Sequence, residues 1–113
     1  MLPAMLDGLG AQLERYMDLL AARQRLVASN IANADTPGYR ALDIDFQAEF
    51  RNAAGAPVPL EVTGLASRND GNNVSLDREA RLLAENALRF QLASNLARGQ
   101  LRLVRSAIEE GKT

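Results

Sequence analysis

The sequence predicts an all-α protein in which two long terminal helices form a coiled-coil hairpin and an irregular, partly extended or mobile middle segment lies between them. Three observations carry that expectation. Apolar residues make up 47% of the chain and aromatics only 4%, so the apolar content is mostly Leu, Ala, Val and Ile, a mixture weighted toward helix. Both ends carry apolar residues at alternating three- and four-residue spacings, the heptad pattern of helices that pack lengthwise. Between them, Pro and Gly recur from Pro37 to Gly71 and break regular structure. The 113 residues suit one architectural unit rather than two independent cores. That unit divides into an N-terminal helix with a joint motif (1–36), a middle segment (37–74) and a C-terminal helix (75–113).

In the first part Leu6, Leu9, Leu13, Tyr16, Leu20 and Val27 form the apolar row, with Arg23 in one slot where an apolar residue is expected. The helix runs from about Pro3 or Ala4 to about Asn33, roughly 45 Å at 1.5 Å per residue. Gly8 and Gly10 weaken its first turns, which therefore order against a partner. Thr36-Pro37-Gly38 then stops it, because Pro holds the preceding residue in extended geometry and Pro-Gly suits the centre of a type II turn.

Leu42, Ile44 and Phe46 alternate with Asp43 and Asp45, as in an extended piece with one apolar side, although Phe46 to Arg51 is also compatible with a short helix. From Ala53 to Asn73 only Leu60-Glu61-Val62-Thr63 reads as a possible strand. The run Arg68-Asn69-Asp70-Gly71-Asn72-Asn73 helps make this the least regular part and the best candidate for mobility.

Ser75 is a good N-cap for the second helix, and Asp77 and Glu79 sit in its first turn, where the helix dipole favours negative charge. Leu76, Ala80, Leu83, Ala87, Phe90, Ser94, Ala97, Leu101, Val104 and Ile108 keep an unbroken four-three alternation, and Gly111 is a plausible stop. A second row of Leu82, Leu88, Leu92, Leu96 and Leu103 widens the apolar surface beyond a two-stranded seam. Each large side chain left exposed forgoes about 1.5–3 kcal/mol of burial, so this helix needs more than one neighbour and the sequence points to self-association.

Thirteen basic and fourteen acidic residues leave a formal net charge of −1, without the basic surplus that phosphate neutralisation requires, so nucleic acid is not an expected partner. The chain contains neither Cys nor His, which removes thiolate and imidazole chemistry and most tight transition-metal sites. No cofactor and no catalytic residue is expected. The apolar stretch at the start is too short for a signal core or membrane span and lacks a basic lead-in, so any export is expected without a cleaved signal.

The stretch Ser29-Asn30-Ile31-Ala32-Asn33-Ala34-Asp35-Thr36-Pro37-Gly38-Tyr39-Arg40 resembles the N-terminal signature of the flagellar axial proteins, the rod, hook and hook-associated subunits. Thr-Pro-Gly alone is an ordinary helix stop followed by a turn. Two Asn residues three apart and the Tyr after the turn make the resemblance specific. Asn30 and Asn33 are suited to bond backbone groups left unpaired at the helix end, and Tyr39 to pack back against the last turn. These six residues, Asn30, Asn33, Thr36, Pro37, Gly38 and Tyr39, are the candidate joint. The continuation Ala41-Leu42-Asp43-Ile44-Asp45-Phe46 and the C-terminal stretches Asn73 to Asp77, Leu83 to Gln91 and Gly99 to Arg102 look like the proximal-rod members. The middle matches least, with Thr63 followed by no His.

The resemblance implies paired terminal helices lining an export channel, with the middle packed outside. It also implies partners: other flagellar rod proteins, the rod-to-ring adaptor and the flagellar export gate. A small helical adaptor or export chaperone is the alternative, since it would need the helices but not the joint. Asp43 and Asp45 read as solvated carboxylates. Glu79, Arg81, Glu85 and Arg89 read as an exposed charged face, with Glu85 and Arg89 supporting the helix at i, i+4. Asn73-Val74-Ser75 reads as the polar lead-in to a capped helix rather than a glycosylation acceptor.

Overall fold

Apolar periodicity at the two ends is realised as two long helices. The computed structural model describes residues 2–111, in the order α1 (Leu2–Ala32), β1 (Leu42–Asp43), α2 (Phe46–Asn52), β2 (Leu60–Glu61) and α3 (Leu76–Gly111). Met1, Lys112 and Thr113, assigned above to the terminal helical parts, lie outside the described residues. α1 and α3 run antiparallel: Gln100 Nε2 donates to Leu6 O, Asn86 Nδ2 to Leu20 O and Asn30 Nδ2 to Glu79 Oε1. The molecule is accordingly long and thin, 70 × 24 × 17 Å.

α1 lies between α3 and the middle segment. Leu19 and Ala22 form a buried cluster with Ile44, joined by Leu26, Phe46 and Phe50. Tyr16 meets Phe46 and Phe50 edge-on, with ring centroids 5.3 and 5.9 Å apart, the geometry that aromatic quadrupoles favour. Of the row read from the sequence, Leu20 and Val27 are buried, Leu6, Leu13 and Tyr16 are half-buried, and Leu9 is exposed.

On α3 the row expected to form the seam is not the one turned to α1. Leu76, Leu83, Phe90, Leu101 and Ile108 are exposed and Val104 is half-buried, whereas Glu79, Asn86 and Ala93 are buried. Heptad spacing locates the apolar face of a helix but says nothing of which neighbour that face meets. Here the polar side chains find hydrogen-bond partners on α1 and are drawn inward.

The alternation from Leu42 to Phe46 splits into two elements. β1 pairs antiparallel with β2, Leu42 opposite Glu61 and Asp43 opposite Leu60. Asp45 then caps α2 by accepting from Ala48 N at 3.2 Å. α2 ends on Ala53 in the left-handed region at φ 56°, a position where glycine is free of the Cβ clash. Ala53→Gly should therefore raise stability by about 0.5–1 kcal/mol, read as a higher urea midpoint at unchanged slope.

The turn after α1 has its expected form. Tyr39 N donates to Thr36 O at 3.2 Å, and Gly38 has φ +76°, as residue i+2 of a type II turn requires. A Cβ at Gly38 would meet nothing within 4 Å, so Gly38→Ala isolates the backbone cost. That cost is about 1–3 kcal/mol, measurable by urea unfolding.

Within the irregular segment from Ala53 to Asn73, the run from Arg68 to Asn73 is held by hydrogen bonds. Gly38 N donates to Asp70 O at 2.8 Å, and Arg68 N to Asn72 O at 2.8 Å. The Arg40 guanidinium bonds Ser67 Oγ and Gly71 O. Asn72 and Asn73 are both buried. Polar, turn-forming composition marked this segment as irregular, which it is, but irregular backbone can be held by side-chain bonds as firmly as by a ladder.

Candidate functional site: the joint between the helices

Asn30 is fully buried and uses all four of its amide bonding positions. Its Nδ2 donates to Leu42 O at 2.9 Å and Glu79 Oε1 at 3.0 Å. Its Oδ1 accepts from Leu42 N and from the Tyr39 hydroxyl, each at 3.1 Å. One side chain thus links the last turn of α1 to β1, to Tyr39 beyond the turn and to the first turn of α3. An amide suits the position because it supplies two donors and two acceptors without a charge.

Asn33 acts more locally, with Nδ2 donating to Ser29 O at 2.8 Å and Oδ1 accepting from Thr36 Oγ1 at 3.1 Å. Tyr39 folds back on the helix end, its hydroxyl 3.1 Å from Ser29 Oγ. Pro37 and Gly38 form the exposed apex. From the far end of the middle segment Asn72 Nδ2 donates to Asn33 O at 2.9 Å and Thr36 O at 2.8 Å, a second bond for two turn carbonyls that already accept from Thr36 N and Tyr39 N. Asn73 Oδ1 accepts from Ala41 N at 2.6 Å. Arg68 Nη2 donates to Ala34 O as well.

A charged cluster continues the joint. Asp43 is buried, and Arg23 grips it with Nε on Oδ1 at 3.0 Å and Nη2 on Oδ2 at 3.1 Å, while Arg78 Nη2 reaches Oδ2 at 2.7 Å. Burial opposes the charge of Asp43, but it is outweighed by the hydrogen bond and charge of Arg23, the Ile44 N–H and the Arg78 bond, which together hold its pKa below the usual carboxylate value. Arg78 Nη1 also bonds Glu79 Oε1 at 3.0 Å. Two cations and two anions from α1, β1 and α3 therefore neutralise one another, and Arg23 additionally lies 5.6 Å from the Phe46 ring centroid.

Two readings of the sequence are corrected here. Asp43 is not a solvated carboxylate, because two arginines from different helices converge on it; its neighbour Asp45 is the α2 cap. Glu79 is not part of an exposed charged face but is fully buried, with Oε2 lacking a hydrogen-bond partner among the described residues. Glu85 and Arg89 do pair at i, i+4, at 2.6 Å. Arg23 was the legible signal, a long cation in an apolar slot. Asn72, Arg78 and Glu79 gave none, since the partners that draw them into the joint, Asn33 and Thr36, Asp43 and Asn30, lie far away in sequence.

The candidate joint residues thus meet in one place. The packing candidates do not: Leu20 and Val27 are interior, while Leu83, Phe90 and Leu101 border open surface. An open groove of about 690 Å³ lies between the helices, lined by Leu20, Ala21, Leu83, Ala87 and Phe90 among others. Among the described residues no helix is long and apolar enough to cross a membrane.

Residues 17–40, which contain the joint, match the family described as Flagella basal body rod protein. Over 137 aligned positions the chain is 33% identical to the Flagellar basal body rod protein FlgB of Escherichia coli (strain K12), covering 95% of this chain and 99% of that protein. It is 32% identical to FlgB of Yersinia enterocolitica, covering 94% and 97%, and 30% identical to FlgB of Borreliella burgdorferi, covering 73% and 82%. The alignment to the Escherichia coli protein exceeds the 113 residues of this chain, so that protein carries residues for which this chain has no counterpart.

Proposed function

This chain belongs to the FlgB family of flagellar basal body rod proteins and is a structural subunit of that rod; from that premise we propose that it builds the proximal part of the rod by packing its terminal helices against neighbouring subunits. The observation that carries this reading is the outward row on α3, with Leu83 41%, Leu101 57% and Ile108 55% exposed on a hairpin already held together by other residues. Apolar side chains presented in this way along one helix are an association surface.

The exposed area agrees. The chain presents 7699 Å² to solvent, whereas a compact monomer of 12.3 kDa would present about 6,100 Å². The excess, about 1,600 Å², follows from the long, thin shape and leaves ample surface for subunit contacts of roughly 800 Å² each. The six joint residues set the angle at which the middle segment leaves the helices, and the packing residues meet other copies of the chain and other rod proteins. The rod-to-ring adaptor and the export gate are the further partners, the place is the periplasmic rod reached through the flagellar export route, and the role is mechanical rather than catalytic.

Leu83→Asp and Leu101→Asp test this in a flagellated strain that carries the altered gene. Both positions are exposed, so the monomer should keep its helical circular dichroism. A carboxylate buried at a subunit contact is costly, so rod assembly should fail and swimming in soft agar should fall at least tenfold. Normal swimming in both strains would overturn the packing assignment.

A further inference from the structure

The side chains at the centre of the α1–α3 contact are spaced by heptads along α3: Glu79, Asn86, Ala93 and Gln100. Three of the four are polar, and each polar one bonds a different level of α1. Glu79 takes Asn30 Nδ2 at 3.0 Å, Asn86 Nδ2 gives to Leu20 O at 2.9 Å and Gln24 Oε1 at 3.1 Å, and Gln100 Nε2 gives to Leu6 O at 2.6 Å. Gly10 makes room for the last of these, because a Cβ there would stand 3.0 Å from Gln100 Nε2.

This arrangement inverts ordinary amphipathic burial. Leu83 and Phe90 lie four residues beyond Glu79 and Asn86, hence about 40° further round the helix, and they are exposed while the polar pair is buried. A turn of α3 by that small angle would bury Leu83 and Phe90 against α1. Apolar burial favours it, at about 25 cal/mol per Å². What opposes it is that Asn86 and Gln100 would lose their partners on α1 and Glu79 would leave Asn30, whose amide is fully buried.

We infer that Glu79, Asn86 and Gln100 are a rotational lock on α3, whose role is to hold the apolar row outward for neighbouring subunits instead of letting the hairpin consume it. Polar residues at seam positions are known to fix register at a cost in stability. The lock rests on the reading that the outer row of α3 meets other subunits, and it adds that the isolated chain is less stable than its apolar content allows.

The test replaces Asn86→Leu together with Gln100→Leu, leaving Glu79 in the joint. Because the chain has no cysteine, Leu83→Cys gives a single reporter thiol, with Leu88→Cys, 70% exposed, as the control. With the native lock both thiols should react with a maleimide at similar rates. In the Leu pair the thiol at position 83 should react at least tenfold more slowly while the control is unchanged, and the thermal midpoint should rise. An unchanged rate at position 83 would overturn the lock, and so would loss of helical circular dichroism, since leucine at these positions is expected to strengthen the hairpin. Sedimentation of the unlabelled proteins separates the two ideas. Weaker self-association in the Leu pair than in the native chain supports the lock, whereas a native chain that stays monomeric at all concentrations overturns the packing reading and leaves the labelling result to judge the lock alone.

Discussion

Asn30→Asp should be the most damaging single-atom change in the chain, lowering stability by about 3–5 kcal/mol at neutral pH. The substitution keeps shape and exchanges the amide nitrogen, which gives two hydrogen bonds, for an acceptor oxygen. The new oxygen would face Leu42 O and Glu79 Oε1, now 2.9 and 3.0 Å from Nδ2, so two acceptors would oppose it, one of them a buried carboxylate. Asn30→Ala removes the same bonds without adding a charge and should cost less, about 2–3 kcal/mol. Urea unfolding followed by circular dichroism reads both. Equal losses would mean that the missing bonds, not the clash of carboxylates, dominate the site.

Asp43→Asn should cost about 2–3 kcal/mol at pH 7, because it leaves Arg23 and Arg78, both largely buried, facing a neutral amide. The pH dependence supplies a signature. The folded-state pKa of Asp43 is lowered, so its contribution is fully present above the unfolded carboxylate pKa, about 3.9, and is lost as pH falls through the folded value. The native protein and the Asp43→Asn variant should therefore differ at pH 7 and converge below about pH 4. A gap that persists unchanged at pH 2 would show that the loss comes from packing or hydrogen-bond geometry and not from the charge.

The elements and their order were largely legible, each for a local reason. Ser75 caps α3 as composition suggests, with Arg78 N donating to Ser75 Oγ at 3.3 Å. Pro37-Gly38 turns as its own dihedral preferences require, and Tyr39 returns to the helix end. The joint motif was legible as a cluster because its six members lie within ten residues. What each one bonds was only partly so. Asn33 pairs locally, as near neighbours must, but Asn30 reaches Leu42 and Glu79, and no spacing along the chain announces those contacts.

Charge was the least legible quantity. Asp43 and Glu79 have the sequence context of surface residues, and each is buried because arginines and an amide from other elements converge on it. A carboxylate goes inside only when its partners do, and partners separated by tens of residues are set by the fold. The orientation of α3 has the same origin. Its apolar periodicity determined that it is a long helix with more greasy surface than one neighbour covers, and the 29–40 motif carried the resemblance to the flagellar axial proteins. Which face of that helix turns to α1 was decided by tertiary structure alone. Periodicity fixes the angles between side chains on one helix but not the rotation of that helix against another, and here three polar contacts spaced along its length set that rotation.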